Sequence, residues 1–188
     1  MADSAIDVAA QPAVISATVI FLSSKVRIVF LWNSFDFAIG DTTNIEVIGN
    51  IKLAQLPSKK LDLSKPEAIL ITAGSTHENE EELVLKSYKK EFGKLVIVPR
   101  HPERFIKVDN LIKEYIKGKN LTYHKYSENE NFNSDIILVD KMGILNDIYA
   151  ISDVVILGGA FEKIGGHNPI EPAYFGCKLI SGKNIFNQ

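Results

Sequence analysis

From residue 69 to residue 181 the chain alternates short β-branched and aliphatic runs with longer stretches of helical period. This alternation limits the fold more than any other feature. Strands separated by helices pair in parallel through crossovers, with the helices laid over the faces of one sheet. Residues 69–73 form a buried-strand run followed by Gly74-Ser75-Thr76, where Ser75 or Thr76 is placed to cap a helix. Glu78, Glu80, Glu81 and Glu82 fall in its first turn, where acid complements the helix dipole. Val84, Tyr88 and Phe92 follow four apart, and Gly93 closes the helix before a strand at 94–98.

The next unit opens with Pro99-Arg100-His101-Pro102 and runs on as a helix with Phe105, Val108, Ile112 and Tyr115 three and four apart, ended by Gly118. Residues 121–124 and 136–139 read as strands on either side of a polar loop at 127–134. Met142-Gly143 begins a short helix with Ile144, Leu145, Ile148 and Tyr149, and a strand at 153–157 ends in Gly158-Gly159. Beyond Gly165-Gly166, Asn168 is a helix cap and Pro169 takes the first helical position of a brief helix that ends at Gly176. Residues 178–180 are the last strand. The expected fold is α/β, a Rossmann-like open parallel sheet of about six strands, with Pro57-Ser58-Lys59-Lys60 as a linker before it.

Composition removes several function classes. At 188 residues the chain fits one domain, or one and part of a second. Lys and Arg (21) nearly cancel Asp and Glu (23), so no overall field attracts nucleic acid, and none is expected as a partner. A lone Cys177 excludes an intrachain disulfide and a cysteine zinc site, and reads as a buried small apolar residue. No His, Asp or Glu pair has metal spacing, so no metal is expected. Near the N-terminus the apolar stretch from Pro12 to Ser24 holds 13 uncharged residues before Lys25 and Arg27 intervene, short of the roughly 20 that a spanning helix needs. Asp3 and Asp7 stand where a secretion signal carries positive charge, so none is expected. The β-branched residues Val14, Ile15, Thr18, Val19, Ile20, Val26, Ile28 and Val29 read instead as two strands of a short, apolar, β-rich N-terminal segment.

In an open parallel sheet ligands bind beyond the carboxyl ends of the strands, so the residues just after each run are the candidates for chemistry. They are polar throughout: Gly74-Ser75-Thr76-His77, Pro99 to Arg104, Asp140 to Gly143, and Gly158 to Pro172. Gly-Ser-Thr is either ordinary capping chemistry or an anion cradle. Arg100 and Arg104 are either solvated partners of Glu103 or, since a cation at a helix start opposes the dipole, ligands of a phosphate. Four glycines in the nine residues 158–166 make either a flexible loop or a backbone that closely approaches something, and Glu171 is placed to accept from sugar hydroxyls.

These residues together resemble a known family. Ser75-Thr76-His77-Glu78-x-Glu80-Glu81, Pro99-Arg100-His101-Pro102-Glu103-Arg104-Phe105, Asp140-x-Met142-Gly143, Gly158-Gly159 and Gly165-Gly166-His167-Asn168-Pro169-Ile170-Glu171-Pro172-Ala173 are similar to the carboxyl-terminal half of 3-deoxy-D-manno-octulosonic acid (Kdo) transferase, a glycosyltransferase of GT-B architecture. The resemblance starts at Ile45, where Glu46-Val47-Ile48-Gly49-Asn50-Ile51-Lys52 matches the start of the family's second domain, and runs to Gln188. It implies transfer of Kdo from its cytidine monophosphate conjugate, CMP-Kdo, to a lipid A precursor in lipopolysaccharide biosynthesis. It also implies a peripheral location at the cytoplasmic face of the bacterial inner membrane, and no cofactor. By resemblance Pro99, Arg100, Met142, Gly143, Ile144, Asn168, Pro169, Ile170 and Glu171 contact the nucleotide, with Glu171 on the ribose. Ser75, Thr76, His101, Gly158, Gly159, Gly165, Gly166 and His167 support that site, and Lys52 stabilises charge in the transition state.

Two departures from the family shape these expectations. Ile144 stands where an acidic residue usually follows Met-Gly, which leaves a backbone contact there. Residues 1–44 carry only Asp3, Asp7, Asp36 and Asp41 as acids, in no motif that matches the family's glutamate general base. Residues 1–44 are therefore expected to be a remnant of, or substitute for, the acceptor domain. Residues 45–188 are expected to be the donor domain, incomplete at its carboxyl end. One alternative is a non-catalytic nucleotide-binding module, or a split half-enzyme that needs a separate acceptor-domain chain. Another is a GT-B enzyme that uses a uridine sugar.

Overall fold

Leu95, Val96, Ile97 and Val98 are four consecutive apolar residues, a run that a strand can bury only when both faces of its sheet are covered. The structure, a computed structural model, shows that arrangement. It describes residues 57–186 and, as backbone, two earlier strands, β1 (Ser16–Leu22) and β2 (Lys25–Leu31). The chain divides into two compact units, Met1–Gln55 and Leu56–Gln188. In the first, β1 and β2 pair antiparallel, with Ser16 opposite Leu31 and Leu22 opposite Lys25. Lys52, the motif at 46–52 and the division expected after residue 44 lie outside the described residues.

The second unit contains β3 (Leu70–Thr76), α1 (Glu80–Ser87), β4 (Lys94–Pro99), α2 (Phe105–Ile116), β5 (Tyr123–Lys125), α3 (Tyr126–Asn129), β6 (Ile136–Leu138), α4 (Leu145–Tyr149), β7 (Val154–Leu157), α5 (Ile170–Tyr174) and β8 (Lys178–Ser181). The strands form one six-stranded sheet in the order β5-β6-β4-β3-β7-β8, and all pairs are parallel. Alternation divides the apolar run of β4 between two cores. Leu95 and Ile97 join Val84, Leu85 and Tyr88 from the α1 region and Val108 and Ile112 of α2 on one face. Val96 and Val98 join Tyr126, Phe132, Ile144 and Ile148 on the other. Each such aliphatic side chain, fully buried, stabilises the fold by about 1.5–3 kcal/mol. At the far edge every residue of β8 is exposed, and Ile180, Ile185 and Phe186 present apolar surface there.

Local details depart from expectation for physical reasons. Ser75 and Thr76 do not cap α1. The strand continues through both, with Ser75 in the left-handed region at φ 55° and a register shift between Gly74 and Thr76, and the helix starts after Asn79. Phe92 does not extend the Val84–Tyr88 face. The helix ends at Ser87, where Tyr88 turns to extended backbone at ψ 137° with its hydroxyl shared between the carbonyls of Gly93 and Asp135, and Phe92 falls in an exposed 3₁₀ turn. The polar loop at 127–134 carries the short α3 and buries Phe132. α5 starts one residue later than expected, so Pro169 takes the cap position in place of Asn168, which lies just before it with its Oδ1 accepting from the Ile170 N–H at 3.1 Å. Nor is the segment at 57–60 a free linker, since the Lys60 and Leu61 N–H groups donate to buried Asp147 of α4. Cys177 is buried, as read, and its thiol donates to the Tyr149 carbonyl.

Candidate functional site

A parallel sheet gathers the carboxyl ends of all its strands at one edge, and a crevice opens where successive connections diverge. Here β3 leads to β4 on one side while β7 and β8 lie on the other, so that point falls between β3 and β7. The four loops singled out in the sequence leave β6, β4, β3 and β7, which are neighbours in that order. Topology alone therefore sets Met142-Gly143, Arg100-His101, Ser75-Thr76-His77 and Gly158-Gly159 in one row.

Two buried carboxylates hold the centre of this row. Glu80 is 1% exposed and accepts three backbone N–H groups: His77 at 2.9 Å, Gly159 at 2.8 Å and Phe161 at 3.1 Å. It thereby fastens the loop after β3 to the loop after β7. Glu81 accepts from the Thr76 hydroxyl at 2.9 Å and from Arg104 at 2.8 Å. Arg104 is therefore matched by a buried acid, which corrects the expectation that it awaits a phosphate or pairs with Glu103. Arg100 is exposed, while its backbone N–H is tied to the Thr76 carbonyl at 3.0 Å.

The glycines keep these loops in contact. The Gly158 N–H donates to the Gly74 carbonyl at 2.9 Å, and a Cβ on Gly158 would lie 2.2 Å from the Ser75 carbonyl oxygen. Gly159 has φ 75°, and a Cβ there would meet the His167 ring at 2.9 Å. The Gly166 and His167 N–H groups return to the carbonyls of Gly159 and Gly158, which folds residues 158–167 back on themselves. Ser75 is hydrogen-bonded to the buried Tyr149 hydroxyl, whose ionisation burial pushes far upward.

Closure of this loop brings together two residues 90 positions apart. His77 and His167 lie edge to edge with ring centroids 5.0 Å apart and planes 9° apart, and one Nε2 donates to the other at 2.7 Å. His101 meets His77 edge-on at 5.5 Å. Burial is the main cause that holds His167 down to about 4, with His77 and the Arg100 cation adding to it and Glu80 opposing. His77 is lowered as well, by burial first, against the pull of Glu80. At neutral pH the pair is therefore uncharged. It is the part of the site that sequence reading missed as a unit.

The remaining candidates divide. Pro99 ends β4 and is buried, Met142 and Gly143 are exposed, and the Ile144 side chain turns into the core, so only its backbone is available to a ligand. Pro169 and Ile170 are half-buried at the start of α5. There Asn168 donates from Nδ2 to Glu171 at 3.3 Å, which orients a half-buried carboxylate at the same edge. Among the described residues no group of three His, Cys, Asp or Glu side chains is arranged to hold a metal, and no helix is long and apolar enough to cross a membrane.

Comparison with known proteins agrees with this geometry. No protein-family model matches the chain. It is 42% identical over 157 residues to a bifunctional glycosyltransferase/methyltransferase of Fusobacterium nucleatum, a match that covers 76% of this chain and 24% of that protein. It is 38% identical over 158 residues to the 3-deoxy-D-manno-octulosonic acid transferase of Haemophilus influenzae, covering 76% of this chain and 36% of that one. The chain thus spans about a quarter to a third of the curated relatives it matches. Among solved structures, the crystal structure of the C-terminal CMP-Kdo binding domain of WaaA from Acinetobacter baumannii matches with a TM-score of 0.52 and 33% identity, covering 63% of this chain and 64% of that one. The expected resemblance and the expected Rossmann-like α/β fold both hold.

Proposed function

We propose that this chain is the donor-binding half of a Kdo transferase and that its row of loops holds CMP-Kdo. The observation that carries this reading is the similarity to a CMP-Kdo binding domain at 33% identity, combined with the meeting of four separate motifs at one sheet edge. In this reading Arg100, exposed beside the site, meets the nucleotide phosphate, where one charge-assisted hydrogen bond is worth about 1.5–3 kcal/mol. The backbone of Met142, Gly143 and Ile144 lies along the nucleotide beside it. Glu171, held by Asn168, accepts from the ribose hydroxyls, and Pro169 and Ile170 form the wall next to it.

The transferred group leaves cytidine monophosphate behind, so cations and N–H donors aimed at the phosphate favour the transition state over the ground state. Lys52 is assigned the same task by resemblance. The donor is already activated, and no cofactor enters. The acceptor is a lipid A precursor, met by a peripheral protein at the cytoplasmic face of the bacterial inner membrane. Activation of the acceptor hydroxyl belongs to a part of the enzyme that matches none of this chain's motifs.

The test is a calorimetric titration of the folded chain with cytidine monophosphate, against uridine and adenosine monophosphates. Cytidine-selective binding that Glu171→Ala weakens by about tenfold or more, the equivalent of one good hydrogen bond, is expected. Equal binding of all three nucleotides, or none in a sample that unfolds cooperatively, overturns the reading.

A further inference from the structure

Tyr149 ends α4 among apolar core residues, yet its ring carries a hydroxyl into a place where only 1% of the residue is exposed. A buried tyrosine oxygen needs partners, and here they belong to two different loops of the row. We propose that the Tyr149 hydroxyl is a positioning group of the donor site, which fixes Ser75 at the end of β3 and Glu171 at the start of α5 so that Glu171 meets the ribose. This inference rests on the donor-binding reading and deepens it.

Fit is the first argument. The ring packs with Val155, Cys177, Leu145 and Phe175, and the Cys177 thiol and the Ser152 N–H both donate to the Tyr149 carbonyl at 3.1 Å. The residue is therefore held by its backbone as well as around its ring. Its hydroxyl lies directly against β3, since a Cβ on Gly74 would stand 2.3 Å from the oxygen and 2.9 Å from the ring. Position 74 takes a glycine because the tyrosine oxygen occupies the space of a side chain.

Strain is the second argument. Immediately after Gly74, Ser75 stands in left-handed backbone at φ 55°, a conformation that a residue with a Cβ keeps only where its surroundings impose it. The Tyr149 hydroxyl is the buried group that bonds Ser75 there. On either side of Ser75, the Gly74 carbonyl accepts from the Gly158 N–H at 2.9 Å and the Thr76 carbonyl from the Arg100 N–H at 3.0 Å. The loops after β7 and β4 thus both hang on this turn.

The direction of the hydroxyl is the third argument. Ser75 favours the ionised phenol, which is the effect of a donor, so the serine gives its hydrogen to the Tyr149 oxygen. The phenolic hydrogen is left to turn toward negative charge, and Glu171 is the carboxylate whose charge reaches it. Asn168 donates to the same carboxylate at 3.3 Å. Two dipoles fixed by the fold therefore hold Glu171 before a ligand arrives, and the ribose hydroxyls meet an acceptor with little freedom left to lose.

The experiment is calorimetry of the full chain with cytidine monophosphate and with its dideoxy analogue, which lacks both ribose hydroxyls. The proteins compared are the wild type, Tyr149→Phe, Glu171→Ala and the double variant. Tyr149→Phe keeps the ring and removes only the oxygen. It is expected to weaken cytidine monophosphate about fivefold, as loss of one ordinary hydrogen bond does, and to leave the dideoxy analogue within about twofold of the wild type. In the Glu171→Ala background it is expected to add nothing. Ser75→Ala removes the same bond from its half-buried end. It is expected to give the same ribose-dependent loss, and it decides the question should Tyr149→Phe fail to fold. No loss, a loss of equal size for both nucleotides, or effects of Tyr149→Phe and Glu171→Ala that simply add overturn this inference and leave the donor-binding reading standing. A wild type that binds both nucleotides equally removes the ribose contact of Glu171 and this inference with it. A folded wild type that binds neither removes the donor-binding reading as a whole.

Discussion

Glu80 and Glu81 look identical to Glu78 and Glu82 in the sequence, where all four read as acids that complement a helix dipole. The structure separates them: the outer two are exposed, and the inner two are 1% exposed and fully engaged. Nothing in a run of glutamates marks which of them will accept N–H groups from a loop 79 residues away, because that partner exists only after the sheet has formed. The same holds for His77 and His167, which read singly as weak signals and gain meaning as a pair. Glu171 and Asn168 were legible because their interaction is local. Glu80→Ala removes the acceptor for three buried or half-buried N–H groups and is expected to destabilise the domain by about 3 kcal/mol or more, since each unsatisfied group costs about 1–3 kcal/mol. Glu80→Gln keeps one oxygen, which can still serve His77 and Gly159, but turns an amide toward the Phe161 N–H. Its expected loss is about half as large. Urea unfolding of the two variants checks the order, and equal losses would mean that the contacts Gln retains, to the His77 and Gly159 N–H groups, contribute nothing.

At the scale of elements, the six strands were legible from their apolar runs and the glycines that end them, and their observed bounds differ from the reading by a few residues at most. What the runs did not contain was spatial order. The reading follows the chain, whereas the sheet places β6 between β4 and β5 and carries β7 to the opposite side of β3. That arrangement sets the four loops side by side. The end of β3 was also misjudged, because Gly74-Ser75-Thr76 has the composition of a cap and the structure uses it as a strand that bends at Ser75 under the hydroxyl of Tyr149. Gly158 belongs to this crossing. Its missing Cβ lets the loop after β7 lie against the Ser75 carbonyl at a distance no side chain permits. Gly158→Ala forces two backbones apart and is expected to cost about 1–3 kcal/mol, as overpacking does. It is also expected to weaken CMP-Kdo binding, because the backbone that must move connects the two histidine loops. Unfolding and calorimetry on one preparation measure both, and a stable variant with unaltered CMP-Kdo affinity would refute the crossing's role.

The stability of the whole molecule carries the site's electrostatics as a dependence on pH. Burial alone would raise the carboxyls of Asp109, Asp135 and Asp153, but their partners outweigh it: Lys113 and Tyr123 for the first, Thr122 and Lys90 for the second, Lys65 and the Leu70 N–H for the third. A carboxyl held below its unfolded value contributes stability above that value and loses it as pH falls through the folded one, so these three act only below about pH 4. His167 acts earlier and with the same sign. Its folded value, about 4, lies below the ordinary 6.5, so between those limits the unfolded chain binds a proton that the folded chain refuses. Stability is therefore expected to decline from pH 6.5 toward 4.5, before the aspartates begin to contribute. With solvent screening around a half-buried ring, the decline amounts to about 1–2 kcal/mol. His167→Gln flattens this limb and leaves the steeper loss below pH 4 in place. Urea midpoints at pH 7, 5.5 and 4.5, for the wild type and the variant, decide the matter. A wild-type limb as flat as that of the variant would mean that the imidazoles are charged already in the empty site.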